Sequence, residues 1–156
     1  YVAAEYVTVE LLVDEGETNE AIKNREEEEK AKKAKLNYNA GAFDATTDEV
    51  KLLAALIHCE AGGEPYEGQL AVGAVVMNRV RSSAFPNTIR EVIYASGQFT
   101  PALAGKLEEV YNRATCESCY KAAQEAVAGN TNVGDAKYFR RTGKHEGMVI
   151  ENHVFW

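Results

Sequence analysis

A run of eight residues, Leu70-Ala71-Val72-Gly73-Ala74-Val75-Val76-Met77, carries no charged side chain on any face. A helix that is apolar all round has no side to offer water, so other elements must enclose it. Pro65 can open it, because a first-turn position needs no amide hydrogen, and Gly73 allows close packing against a neighbour. Upstream, Thr46 and Glu49 form a capping box. Val50, Leu53, Leu56 and Ile57 follow at helical spacing, which predicts a core helix to about Ala61 that Gly62 and Gly63 stop. Downstream, Pro86 closes a loop, and Thr88 with Glu91 makes a second capping box before a short helix through Ile93. A further helix is expected over residues 116–128, capped by Thr115 and Gly129. Beyond it, Lys137-Tyr138-Phe139-Arg140, Met148-Val149-Ile150 and His153-Val154-Phe155-Trp156 are aromatic and β-branched, and Gly143 and Gly147 break them into two or three short strands. The fold class is therefore α+β, predominantly helical, with a small antiparallel β-sheet near the C-terminus.

The 156 residues suit one domain. With 17 basic against 24 acidic side chains, a net charge of −7, the chain lacks the cationic surface that meets phosphates, which argues against nucleic acid as a partner. No apolar run approaches the roughly eighteen residues of a membrane span. The sequence begins at Tyr1 with no apolar signal core behind it, so a processed chain without its targeting segment is expected. Of the charges, 10 acidic and 6 basic fall in the first 40 positions. There Val7, Val9, Leu11 and Val13 alternate in a strand-like way. From residue 18 to residue 36 the pattern turns helical, with Glu26, Glu28 and Glu29 each four residues ahead of Lys30, Lys32 and Lys33. Such a run is a solvated helix or linker. Residues 1–45 are assigned to a charged N-terminal extension and residues 46–156 to the globular domain.

Three groups of residues suit chemistry. In His58-Cys59-Glu60-Ala61-Gly62-Gly63-Glu64 a carboxylate ends an apolar helix and glycines expose it. Desolvation there raises the pKa of Glu60 toward the protonated state that a general acid needs, although exposed carboxylates at helix ends are ordinary. In Ser96-Gly97-Gln98-Phe99-Thr100, Gln98 and Thr100 offer polar atoms and Phe99 an apolar face, a set that suits a sugar. Tyr138 and His153 belong to the strand region, where aromatics are more often core than ligand platform.

The segment from Glu60-Ala61-Gly62-Gly63-Glu64-Pro65-Tyr66-Glu67-Gly68-Gln69 through Asn78-Arg79-Val80 resembles the signature of the spore-cortex-lytic family of cell wall hydrolases. Phe85-Pro86-Asn87-Thr88, Gly97-Gln98-Phe99-Thr100 and Asn152-His153-Val154-Phe155-Trp156 resemble its later blocks in the same order. The resemblance implies a lysozyme-like fold and cleavage of peptidoglycan glycan strands between N-acetylmuramic acid and N-acetylglucosamine. It implies one catalytic glutamate, falling on Glu60, of the lytic transglycosylase type: the acid protonates the glycosidic oxygen, then as a base helps the muramic 6-hydroxyl close a 1,6-anhydro ring. No cofactor or metal is called for. An extracellular location, in cell wall or spore cortex, goes with it. Glu64, Gln98, Phe99, Tyr138 and His153 are the expected substrate-binding residues. Glu64 is equally compatible with a structural role, and His153 with a core histidine satisfied by backbone.

Three other readings stay open. A hydrolytic muramidase would cut the same bond. A binding module would hold peptidoglycan without cutting it. His58-Cys59-Glu60 with Cys116-Glu117-Ser118-Cys119 also imitates the zinc deaminase pattern of His-x-Glu and Pro-Cys-x-x-Cys, though Thr115 stands where that pattern has proline. Three cysteines are an odd number. A disulfide between Cys59 and Cys119 is expected, tying two core helices together and leaving Cys116 free, since Cys116 and Cys119 within one turn are the less favourable geometry.

Overall fold

The computed structural model describes residues 18–156; the strand-like alternation of Val7 to Val13 lies outside them. The chain divides into one unit through Lys35 and another over Leu36–Trp156. Helix α1, Asn19–Leu36, buries none of its residues, as expected of a solvated charged helix. None of the helices described is long and apolar enough to cross a membrane.

The second unit begins at Leu36 rather than at residue 46, because the lead-in is bonded to the globular part. A two-residue strand β1, Tyr38–Asn39, pairs antiparallel with β2, Asn130–Thr131. The Phe43 N–H donates to Val127 O at 2.8 Å, and the Arg81 guanidinium donates to Gly41 O at 2.8 Å. Gly129 makes this docking possible. Its φ of +101° is left-handed, and a Cβ there would stand 2.7 Å from Asn39 Oδ1. Gly129→Ala should therefore destabilise the protein by about 1–3 kcal/mol, from strained φ and overpacking together; urea denaturation measures it.

Helix α2, Thr47–Ala61, carries the expected capping box: Thr46 Oγ1 accepts from Glu49 N–H, and Glu49 Oε2 accepts from Thr46 N–H at 2.9 Å. Helix α3, Tyr66–Val80, buries twelve of its fifteen residues. One face, with Val72, Val76 and Met77, joins the main core with Leu53, Leu56, Ile57, Cys119, Ala122 and Ala126; the other, with Ala71, Ala74 and Val75, packs on Phe155, Val133 and Ala136. A Cβ on Gly73 would meet Ala126 Cβ and Ile57 Cδ1, each at 3.1 Å, so the missing side chain is what lets three helices converge.

Helix α4, Ile89–Tyr94, follows its Thr88 cap, although Glu91 Oε2 accepts from the Thr88 hydroxyl rather than closing a full box. Two short helices, α5 at Thr100–Leu103 and α6 at Lys106–Asn112, were not anticipated from periodicity. Helix α7, Glu117–Val127, starts one residue later than expected. Its N-cap position is Cys116, not Thr115, and no side chain caps it; Thr115 Oγ1 is buried without a partner. Strands β3 (Phe139–Arg141), β4 (Met148–Ile150) and β5 (His153–Phe155) form an antiparallel sheet in the order β3-β5-β4. The turn from β4 to β5 places Glu151 at φ +51°, a position that glycine usually fills in a two-residue hairpin.

Candidate active site

Glu60 stands in the last turn of α2, where the helix leaves the core. It lines a cavity of about 630 Å³ with His58, Glu64, Arg141, Thr142, Asn152 and His153 among its walls. A second cavity of about 200 Å³ adjoins it, sharing Glu60, Arg141 and His153 and adding Arg79, Gln98, Phe99 and Arg140. One wall is thus the end of α2 and the loop after it; the other is the small sheet and its turns, with the loop before α5 beside the smaller cavity. Burial pushes the Glu60 carboxyl above its ordinary value, and the positive charges of His153, Arg141 and Lys106 partly offset this.

Glu64 and His153 face each other. His153 Nδ1 lies 2.9 Å from Glu64 Oε1, with side chains only 5% and 9% exposed. The line between them is bent away from a directed hydrogen bond, so proximity and burial rather than alignment define this pair. Glu64 Oε2 and His153 Nδ1 make no directed hydrogen bond. Gly68 leaves room for the Glu64 carboxylate, since a Cβ there would press on Oε2. His153 is therefore buried as a core histidine would be, but its ring answers to a carboxylate and not to backbone. Gln69, also buried, donates from Nε2 to Glu64 O at 3.1 Å and fixes the loop.

Gln98 is exposed, and its Oε1 accepts from the Arg79 guanidinium at 2.8 Å. Phe99 corrects the expectation of an open apolar platform. It is 3% exposed and packs in the core near Phe139, so it closes the wall of the smaller cavity without presenting a face. Tyr138 lines neither cavity. It is 43% exposed, stacks on Trp156 with ring centres 5.9 Å apart, and leans on Phe85 at 6.0 Å.

Sequence reasoning missed Arg79. Buried at the end of α3, it donates from Nε to Lys137 O at 2.6 Å as well as to Gln98, and its guanidinium lies 5.2–5.4 Å from the ring centres of Phe85, Phe99 and Tyr138. Its signal was a charge closing an otherwise apolar helix. Arg141 and Thr142 were missed too, because nothing local marks them, while Asn152 was marked only as part of the closing block and not as a wall of the cavity.

The expected Cys59–Cys119 disulfide does not form. Cys116 is bonded to Cys119, and Cys59 is a free thiol. Successive helix residues point about 100° apart. Cys59 accordingly feels Lys106 and Glu109 on the α6 side, while His58 meets the α7 side, its Nδ1 accepting from Cys116 N–H at 3.4 Å.

The family model described as Cell Wall Hydrolase matches residues 63–156. The spore cortex-lytic enzyme of Bacillus cereus is 38% identical over 92 residues, 59% of this chain and 34% of that protein. That of Halalkalibacterium halodurans is 33% identical over 120 residues, 77% of this chain and 34% of that protein. The chain thus spans about a third of the length of the curated relatives it matches. Among solved structures, the catalytic domain of the Bacillus cereus SleB protein superposes with a TM-score of 0.64 at 31% identity, covering 74% of this chain and 94% of that one. The catalytic domain of the germination-specific lytic transglycosylase SleB from Bacillus anthracis gives 0.62 at 31% identity, covering 71% and 95%.

Proposed function

Because the chain belongs to the cell wall hydrolase family, we propose that it cleaves peptidoglycan glycan strands between N-acetylmuramic acid and N-acetylglucosamine, with Glu60 as its single general acid and base. The observation that carries this reading is the contrast between the two carboxylates of the cavity. Glu60 is half-buried with its proton affinity raised by burial, whereas Glu64 is committed to His153. Glycosidases that work with two carboxylates need both free to act across the bond. Here one is.

In this mechanism the Glu60 carboxylic acid gives its proton to the glycosidic oxygen as the bond from muramic C1 to that oxygen breaks. The resulting carboxylate then takes the proton of the muramic 6-hydroxyl, whose oxygen bonds to C1 and closes the 1,6-anhydro ring. No water is consumed. Gln98, held by Arg79, offers a polar edge to the sugar, and the exposed pair Tyr138 and Trp156 offers an apolar one further along. Phe99 supports this wall from beneath, and the Glu64–His153 pair fixes the loop after α2 against β5. Wall or cortex outside the cell is the place where such a substrate is met, and residues 46–156 contain the catalytic part.

Mass spectrometry of muropeptides released from sacculi tests the reading. Products ending in the anhydro ring are expected. Products heavier by one water would replace transglycosylation with hydrolysis, and no release from sacculi or cortex would remove the activity altogether.

A further inference from the structure

The proposed cleavage makes no use of Cys116, Cys119 or His58, yet the fold gathers them. Cys116 precedes the first turn of α7 and Cys119 is fully buried within that turn, their Cα atoms 5.2 Å apart. His58 comes to them from α2, and its ring nitrogen and the two sulfurs all lie within 4.8 Å of one another. Nδ1 accepts the Cys116 N–H at 3.4 Å and is turned toward the cysteine loop. We infer that Cys116, Cys119 and His58, brought together at the junction of α2 and α7, are a zinc site in the dithiol state of the protein. The disulfide is the other state of the same cluster.

The chemistry balances with a thiol reductant. Two R–SH give two electrons and two protons to the Cys116–Cys119 bond, which yields two cysteine thiols and RS–SR. Zinc then binds both sulfurs as thiolates, two protons leave to solvent, and the metal keeps its oxidation state. Two thiolates and a neutral imidazole are a donor set that zinc favours, with water in the fourth position. The geometry permits both states. Zn–S bonds of about 2.3 Å in a tetrahedron set the sulfurs about 3.8 Å apart, and a Cys-x-x-Cys turn serves zinc sites as it serves this disulfide. The long 3.4 Å hydrogen bond to Nδ1 is what zinc ligation would exchange for a coordinate bond. Cys116, at the helix N-terminus, is also placed where a thiolate is stabilised.

The two states differ in what they join. The disulfide closes a loop within one turn of α7. Zinc would bridge residues 58 positions apart, tying α7 to the last turn of α2, two residues before Glu60. This inference stands apart from the proposed cleavage, and its test reads metal.

The full chain is reduced with dithiothreitol, desalted without oxygen, mixed with zinc chloride, and desalted again. Reduced protein should retain one zinc per chain and release two protons on binding, while oxidised protein retains none. Cobalt(II) in its place should show the near-ultraviolet charge-transfer absorption of thiolate ligation. His58→Ala should weaken zinc binding by more than about 100-fold, beyond what loss of a ligand's supporting partner costs. Cys116→Ser, at a half-exposed position that spares the core, should weaken it similarly, with circular dichroism as the control for folding in both. Folded, reduced wild-type protein that holds no zinc overturns the inference, as does retention that survives either substitution.

Discussion

Glu60→Gln is expected to lower turnover on sacculi by about 10²–10⁴-fold, the usual worth of a positioned general acid, with the helical circular dichroism unchanged. The amide matches the carboxyl in shape but has no proton to give the leaving oxygen and cannot later accept one from the 6-hydroxyl. Both halves of the proposed reaction fail together, so the loss should appear in kcat more than in KM. The fold should tolerate the change well. Glu60 lies outside the apolar face of α2, and burial already penalises its charged form, so a neutral group relieves desolvation. Near wild-type turnover in this variant would transfer the acid role elsewhere.

Ile57→Ala is expected to cost about 2–5 kcal/mol of stability, lowering the melting temperature by roughly 4–20 °C. Ile57 has no exposed surface, and its Cδ1 occupies the space that Gly73 leaves open on α3. Truncation opens a cavity at the convergence of α2, α3 and α7, where backbones already sit close and have little room to collapse. Thermal unfolding followed at 222 nm measures the shift. A change under about 1 kcal/mol would mean that the three helices readjust freely.

What the sequence disclosed was local. Thr46 and Glu49 sit three residues apart, and their box is found where it was expected. The apolar run from Leu70 to Met77 has to be central, and it is covered on both faces. Strands β3, β4 and β5 could be seen because β-branched and aromatic residues cluster between glycines. Short elements without a cap signal or a β-rich cluster to mark them went unseen: β1 and β2 have two residues each, α5 four and α6 seven. The site divides in the same way. Glu60 announced itself by its place at a helix end beside two glycines. That Glu64 is matched to His153 depends on how β5 docks, and no local pattern encodes docking. The cysteine pairing failed for a similar reason, since the choice between Cys59 and Cys116 turned on which side of α2 faces α7.

The two-sided burial of α3 also divides how the molecule can come apart. The helices on one side share a broad core of large aliphatic side chains, while the sheet on the other is three strands of three residues over a small patch around Phe155, with Phe139 of β3 also reaching the main core. Free energies of local opening follow buried apolar contact, so the sheet is the part that can lift while the helices stay folded. His153, Asn152 and Arg141 would leave with it, and Glu60 would remain. The cleft is then a seam between a durable half and a labile one, and its two walls can part while the helical framework stays folded.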